Sequence, residues 1–386
     1  MTLVAHDRID SVLDAAQDVL TRRAGSQVQI DDPEDLGGSG RSTVVRFRVA
    51  DNPVSLDRTV VVKAFDDNSE AGQVLREIAS YRYATALPTV SRPGPQLLAS
   101  DLDTRILVLT DLGSGRGMLD QLASSDIDDV HRGVSAWGQA LGRMHAATYG
   151  GEDDFQALLR VSGRGGVGPR DVADDPVFAG IGGEASESVR RADEVAAEVG
   201  VDVPDEFRRV LDSGLTLFDE GRFRAFSPSD VGPDNILIND DGVQFMDYEW
   251  GAFRDATLDV AYALTTFPAA LSDQGVAHQV ELESALVDAW RSEAGPLWPA
   301  LNDDTTLGNL LLTPRTLWTW LGTYWMLESD TSGHDWALHT SDPRVVTARW
   351  ADLAVAADAM AGGDVVESVA GVAHDVQRAL QRLWFE

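Results

Sequence analysis

Phe226-Ser227-Pro228-Ser229-Asp230-Val231-Gly232-Pro233-Asp234-Asn235-Ile236-Leu237-Ile238-Asn239-Asp240-Asp241-Gly242-Val243-Gln244-Phe245-Met246-Asp247-Tyr248-Glu249-Trp250 holds more structural information than any other part of this 386-residue chain. Ile236–Ile238 and Val243–Met246 are apolar runs. Between them lies Asn239-Asp240-Asp241-Gly242, residue types that tolerate a tight hairpin turn. Asn235 precedes the first strand and Asp247 follows the second. An antiparallel hairpin brings those ends together, with strand axes about 4.8 Å apart. An amide oxygen and a carboxylate then face one small volume. Hard oxygen donors of this kind suit Mg2+, which takes one or two protein ligands together with phosphate and water. Taken singly, Asp230, Asn235 and Asp247 read only as turn-forming residues around a hairpin.

Upstream of this run the chain changes character twice. Residues 6–23 predict a helix, with Ile9, Val12, Leu13, Ala16, Val19 and Leu20 on one face. Alternating stretches at Gln27–Ile30, Thr43–Val49 and Arg58–Phe65 predict strands, with a glycine turn at 35–40 and a polar turn at 51–57. A helix follows at about 69–86, then two short strands at Gln96–Ala99 and Arg105–Thr110. Five strands and one inserted helix describe a small antiparallel sheet domain. Beyond Asp111 the pattern is helical at 127–148, weakly periodic and rich in Gly, Asp and Ala at 150–200, and helical again from 204 apart from the hairpin region. The segment 163–176 reads as a loop. The expected class is therefore α+β: a β-rich lobe over 1–110 and a larger, mostly helical lobe over 111–386.

The β-rich part contains what a phosphate-binding site needs. Gly37-Gly38-Ser39-Gly40 lies between two strands, where its backbone N–H groups can lie over phosphates. By itself such a turn is more often a plain hairpin. The next strand carries Lys63, the only lysine among 31 basic residues. A preference for Arg elsewhere does not account for this one exception. Lys63 is a compact point charge suited to α- and β-phosphate oxygens; the weaker alternative is an ordinary strand lysine extending into solvent. Glu77 lies 14 residues further on, in the following helix, where it can pair with Lys63 and aim it.

Asp230 lies five positions before Asn235. An Asp-x-x-x-x-Asn spacing is that of a kinase catalytic loop, in which the Asp orients the substrate hydroxyl and the Asn holds metal. At this point the chain resembles the aminoglycoside phosphotransferase and choline kinase superfamily over about residues 27–265. The resemblance is carried by the glycine turn, Lys63, Glu77, Ile106-Leu107-Val108-Leu109-Thr110-Asp111-Leu112-Gly113 and Leu141-Gly142-Arg143-Met144-His145-Ala146. It continues through Asp230 and Asn235, Asp247-Tyr248-Glu249 and Asp255-Ala256-Thr257-Leu258-Asp259-Val260-Ala261. It implies a two-lobed, protein-kinase-like fold, ATP or GTP with its base against the backbone of Thr110, Asp111 and Leu112, and Asp259 bracing the catalytic loop. The family usually has His-Gly-Asp where this chain has Pro228-Ser229-Asp230, which puts the loop geometry in question. No Ala-Pro-Glu element follows Asp247, so the protein-kinase activation segment is missing.

Composition narrows the remaining classes. The chain has 63 acidic residues and a net charge of −32, which disfavours nucleic acid and anionic membrane surfaces as partners. It has no cysteine, which excludes disulfides, thiolate metal sites and cysteine nucleophiles. The first twenty residues read as an amphipathic helix rather than a signal peptide, and no apolar run reaches the roughly 18 residues of a membrane span. The expectation is a cytoplasmic protein. His145 reads as a packed helix residue, and the tryptophans of the C-terminal half as core anchors. Together the residues predict a Mg2+-dependent phosphotransferase acting on a hydroxyl of a small molecule. Asp230 is the catalytic residue; Asn235 and Asp247 hold metal; Gly38, Ser39, Gly40, Lys63, Glu77 and Thr110–Leu112 hold the nucleotide. The acceptor pocket falls to 150–200 and the helices after 265, and suits an aminoglycoside, an amino sugar or another polar metabolite. The alternative is a catalytically silent nucleotide-binding regulatory module.

Overall fold

The computed structural model describes residues 3–38, 42–51, 58–66, 69, 71–162, 176–328 and 341–385. Ser39, Gly40, Trp336 and all but the first residue of the 51–57 turn and the last of the 163–176 loop lie outside the described residues; Asp51 ends a strand and Pro176 begins a helix. The chain forms two compact units. One comprises residues 1–115, 153–178 and 246–251, the other 116–152, 179–245 and 252–386. The class is the expected α+β one, with a five-stranded antiparallel sheet in the first unit and mostly helix in the second.

The sheet consists of β1 (Gln29–Gly37), β2 (Ser42–Asp51), β3 (Thr59–Phe65), β4 (Leu97–Asp101) and β5 (Ile106–Thr110), in the order β1-β2-β3-β5-β4. Helix α1 (Leu3–Ala24) carries Ile9, Val12, Ala16 and Val19 into a core shared with Val45, Phe47, Val60, Val62 and Val108. Val45, Phe47, Val62 and Val108 are fully buried, each contributing about 1.5–3 kcal/mol. The period of two along β3 settles where Lys63 goes. Val60, Val62 and Ala64 belong to the core cluster, so Lys63 projects from the opposite face of the strand.

The first strand differs from its sequence expectation. β1 runs on to Gly37, seven residues past the alternating stretch, through three register shifts against β2. Asp31-Asp32-Pro33-Glu34-Asp35 has no apolar alternation, and Asp35–Gly37, read as the start of the glycine turn, belongs to the strand. The strand is held instead by charge: Asp31 faces Arg48 and Glu34 faces Arg46 across the pair, with ion-pair distances of 2.6 and 2.8 Å. At its end Gly38 has φ +153°, and a Cβ there would fall 2.0 Å from the Ser42 carbonyl oxygen, so only glycine fits.

In the second unit, helix Ile127–Thr148 starts at Asp126, whose carboxylate accepts from the N–H groups of Asp128 and Asp129. It packs on helix Gln279–Ala294 at two glycines four residues apart. A Cβ on Gly138 would lie 2.1 Å from the Leu286 carbonyl oxygen, and one on Gly142 2.6 Å from that of Trp290. The expected hairpin forms from β8 (Ile236–Asn239) and β9 (Gly242–Phe245), with β6 (Arg116–Gly117) alongside β8; β7 (Arg224–Ser227) pairs with β10 (Ala252–Asp255). Helix Thr257–Thr266 is buried along its whole length.

The 150–200 stretch is a correction. It contains helices Glu152–Ser162, Pro176–Arg190 and Ala192–Val199, despite its weak periodicity. Small residues dilute the apolar pattern: Ala185, Ser188, Ala192 and Ala196 share the buried faces with Phe155, Leu159, Ile181, Val195 and Val199. Gly180 breaks the second helix with φ 53°, and left-handed Gly200 closes the third. Among the described residues no helix is long and apolar enough to cross a membrane.

Candidate active site

In the first unit, one cation and three carboxylates converge. Lys63 Nζ donates to both oxygens of Glu77, at 2.9 and 3.1 Å, and to Asp247 Oδ1 at 2.7 Å. Strand alternation aims Lys63 at α2 (Ala71–Thr85), where Glu77 is completely buried. Burial alone would depress the ammonium, but Asp247, Glu77 and Glu249 outweigh it and raise Lys63 above its ordinary value, so it stays charged. Burial pushes the Glu77 carboxyl above its ordinary value, and the ammonium of Lys63 pulls it back down.

Asp247 reaches Lys63 because the segment Met246–Gly251 is built onto α2. The Tyr248 ring stacks on Tyr81 with centroids 4.6 Å apart, and its hydroxyl donates to the Pro93 carbonyl. Gly251 lies so close to α2 that a Cβ would fall 2.2 Å from Ser80 Oγ. Gln73 donates to Glu249 at 2.9 Å. Asp247 itself has φ 56°, a left-handed conformation that costs a non-glycine residue about 1–3 kcal/mol and collects at functional sites.

The donor set fits a hard divalent cation. Glu77, Asp247 and Glu249 each bring an oxygen within 4.8 Å of the other two, and three carboxylates surround a single ammonium. Asp247 and Glu249 are the partly exposed members. Of the predicted nucleotide-holding residues, Gly38 lies at the end of β1. Thr110 ends β5 with its N–H committed to the Gln96 carbonyl at 2.9 Å. The Asp111 side chain accepts from Arg46 and from the Gly113 N–H. Leu112 follows directly.

The second unit holds Asp230 and Asn235. Asp230 is half-buried between β7 and β8, and Asn235 ends a short 3-10 turn over Pro233–Asn235, its N–H bonded to the Gly232 carbonyl at 3.0 Å. The loop before Asp230 is tied down in a way that the sequence did not reveal. Ser227 Oγ donates to Asp259 Oδ1 at 2.8 Å and accepts from the Ser229 N–H at 2.8 Å. Arg254 donates from Nε to the same Asp259 oxygen at 2.8 Å and from Nη2 to the Ser229 carbonyl at 2.7 Å. Ser229 is left-handed, with φ 77°. These bonds fix the loop geometry that Pro228 put in question.

Asp259 is the hub of that network and is fully buried. Burial would raise its carboxyl, but Arg254, His145 and Ser227 together hold it below the usual carboxylate value. His145 Nε2 lies 3.0 Å from Asp259 Oδ2, and Trp290 Nε1 donates to His145 Nδ1 at 3.0 Å. An indole N–H can only donate, so Nδ1 accepts and the imidazole proton sits on Nε2, toward Asp259. The packed helix histidine of the sequence reading is thus also a link in the chain that supports the loop. Sequence reasoning missed Arg254 and Tyr262. Tyr262 donates to Asp230 Oδ1 at 2.8 Å. Neither belongs to a motif; their only signal is their place beside Asp259, on β10 and the following helix.

No protein-family model matches the chain, and no curated protein matches it. It is similar to solved structures. An ethanolamine kinase from Plasmodium vivax is 10% identical over 85% of this chain and 82% of that one, with a TM-score of 0.48. A choline/ethanolamine kinase family protein from Mesorhizobium loti is 15% identical over 88% and 93%, with a TM-score of 0.44. A thermostable mutant of the aminoglycoside phosphotransferase APH(4)-Ia is 14% identical over 94% and 98%, with a TM-score of 0.42.

Proposed function

We propose that the chain is a Mg2+-dependent phosphotransferase that moves the γ-phosphoryl of ATP or GTP to a hydroxyl of a small polar molecule. The observation that carries this reading is the Lys63 ammonium held between Glu77 and Asp247 at 2.9 and 2.7 Å. An aimed, permanently charged lysine beside surplus carboxylates is what a metal-bound polyphosphate requires, and burying such a group has no structural benefit large enough to explain it.

Lys63 and the backbone at Gly38 would hold phosphate oxygens, and Asp247 with Asn235 would hold Mg2+. When bound, the ion neutralises charge on the phosphates. Asp230 accepts a hydrogen bond from the acceptor hydroxyl and so directs its lone pair at the γ-phosphorus. The new O–P bond forms as the bond from phosphorus to the β–γ bridging oxygen breaks. The nucleoside diphosphate leaves, and the hydroxyl proton passes to Asp230. Such a transition state needs placement and charge compensation more than covalent help. The acceptor class that fits an acidic chain is an amine-bearing one, an aminoglycoside or amino sugar, with neutral polyols next.

The test combines thermal denaturation with ATP or GTP, with and without Mg2+, and nucleoside diphosphate release over a panel of amines, sugars and aminoglycosides. Metal-dependent stabilisation and acceptor-dependent release are expected. Asp230→Ala should retain the stabilisation and lose the release. Stabilisation without release on any acceptor favours the silent regulatory module, and the absence of stabilisation by either nucleotide overturns both.

A further inference from the structure

We propose that Tyr262 is a positioning residue for Asp230, holding one carboxylate oxygen from a rigid buried helix so that the carboxylate plane is set before an acceptor arrives; this rests on Asp230 being the residue that receives the acceptor hydroxyl. The geometry is direct: the Tyr262 hydroxyl donates to Asp230 Oδ1 at 2.8 Å. The two residues meet across different kinds of structure. Asp230 is on the connection between β7 and β8, while Tyr262 belongs to helix Thr257–Thr266, every residue of which is buried.

The phenol has little freedom of its own. Its ring lies edge-on to Trp318 with centroids 4.8 Å apart, and Trp318 is anchored by its indole N–H on the Leu258 carbonyl at 2.8 Å. The ring is 2% exposed, so its hydroxyl must find a protein acceptor. Gly232 lies beside the pair: a Cβ there would fall 2.6 Å from Asp234 Oδ1 and 3.3 Å from Asp230 Oδ1. Burial and the charges of Asp230 and Asp234, against Arg349, push the phenol well above its ordinary value. It therefore keeps its proton and acts as donor. The bond fixes one oxygen of a half-buried loop carboxylate and so opposes its rotation about χ2, and misplacement of a reacting group by about 1 Å costs about a hundredfold in rate.

Tyr262→Phe removes the hydroxyl and keeps the ring packed on Trp318. Release of ADP from Mg·ATP, with water or an aminoglycoside as acceptor, is measured for the wild type, Tyr262→Phe, Asp230→Ala and the double variant. The expected result is a fall of about tenfold or more in kcat for Tyr262→Phe, no change in KM for Mg·ATP, and no further loss when it is added to Asp230→Ala. Full activity of Tyr262→Phe alongside an inactive Asp230→Ala overturns the inference and spares the role of Asp230. So does a loss that persists in the Asp230→Ala background. An active Asp230→Ala overturns the reading beneath it instead. NMR of protein labelled at tyrosine gives a measure that does not require turnover. A slowly exchanging hydroxyl proton should be present in the wild type, absent in Tyr262→Phe and displaced in Asp230→Asn; absence of that proton from the wild type overturns the inference.

Discussion

Arg254 Nη2 donates to the Ser229 carbonyl at 2.7 Å, and Ser229 immediately precedes Asp230. The same guanidinium bonds Asp259 through Nε. One side chain thus joins a buried carboxylate to the backbone of the loop that presents Asp230. The planar fork is what permits this, because its donors point along two fixed directions at once. Together with the Ser227 hydroxyl, which accepts from the Ser229 N–H, it holds the left-handed Ser229 in place.

Removing that fork separates charge from geometry. Arg254→Lys keeps a cation near Asp259 but cannot serve both acceptors. It should fold with reduced stability and show at least about tenfold lower turnover at unchanged nucleotide KM. Arg254→Met leaves Asp259 buried without its counter-charge, and should cost about 3–5 kcal/mol in urea denaturation.

Lys63 offers the complementary case in the first unit. Lys63→Met leaves Glu77, Asp247 and Glu249 around an apolar side chain. Productive use of nucleotide should fall by about a hundredfold or more, in line with the loss of a preorganised electrostatic group. Lys63→Arg should not restore it, because the wider guanidinium does not fit a site in which Lys63 is 8% exposed. Steady-state kinetics against nucleotide concentration checks both variants.

The Asp259 network sets an acid limit. A carboxyl held below its ordinary value of 3.8 stabilises the folded state fully above that pH. The contribution is lost as pH falls through the lower, folded value. Denaturant midpoints measured between pH 5 and pH 3 should drop steeply in the wild type at the low end. They should drop less in Asp259→Asn, which starts from lower stability at pH 5.

The glycines of helix Ile127–Thr148 are tested separately from the chemistry. Gly138→Ala places a methyl group 2.1 Å from the Leu286 carbonyl oxygen, so the helix pair must separate. A loss of about 1–3 kcal/mol is expected. Gly142→Ala acts beside Trp290, whose indole bonds His145, and should also change tryptophan fluorescence. Denaturation followed by fluorescence and by circular dichroism checks both substitutions.

Much of the first unit was legible because its signals are local. Strands β3 and β5 are alternating or wholly apolar, and α1 repeats its apolar residues at helical spacing. The hairpin between Ile236 and Phe245 was legible for the same reason, with its turn chemistry in four consecutive residues. The extension of β1 was not, because cross-strand ion pairs with Arg46 and Arg48 replace the apolar pattern. Nor were the helices between 150 and 200, where alanine and serine interrupt the larger apolar residues along the buried faces.

Residue identity and spacing alone carried the chemical types: a single lysine, a glycine turn, Asp230 with Asn235, and Asp247 after a hairpin. Neither needs a distant partner. Only the tertiary structure decided which groups orient them. Arg254, Asp259, His145 and Trp290 come from separate elements, 145 positions apart at the widest, and Tyr262 reaches Asp230 from 32 residues away. Such contacts leave no periodic trace, because a hydrogen bond between distant side chains depends on how buried elements pack rather than on the order of residues along the chain.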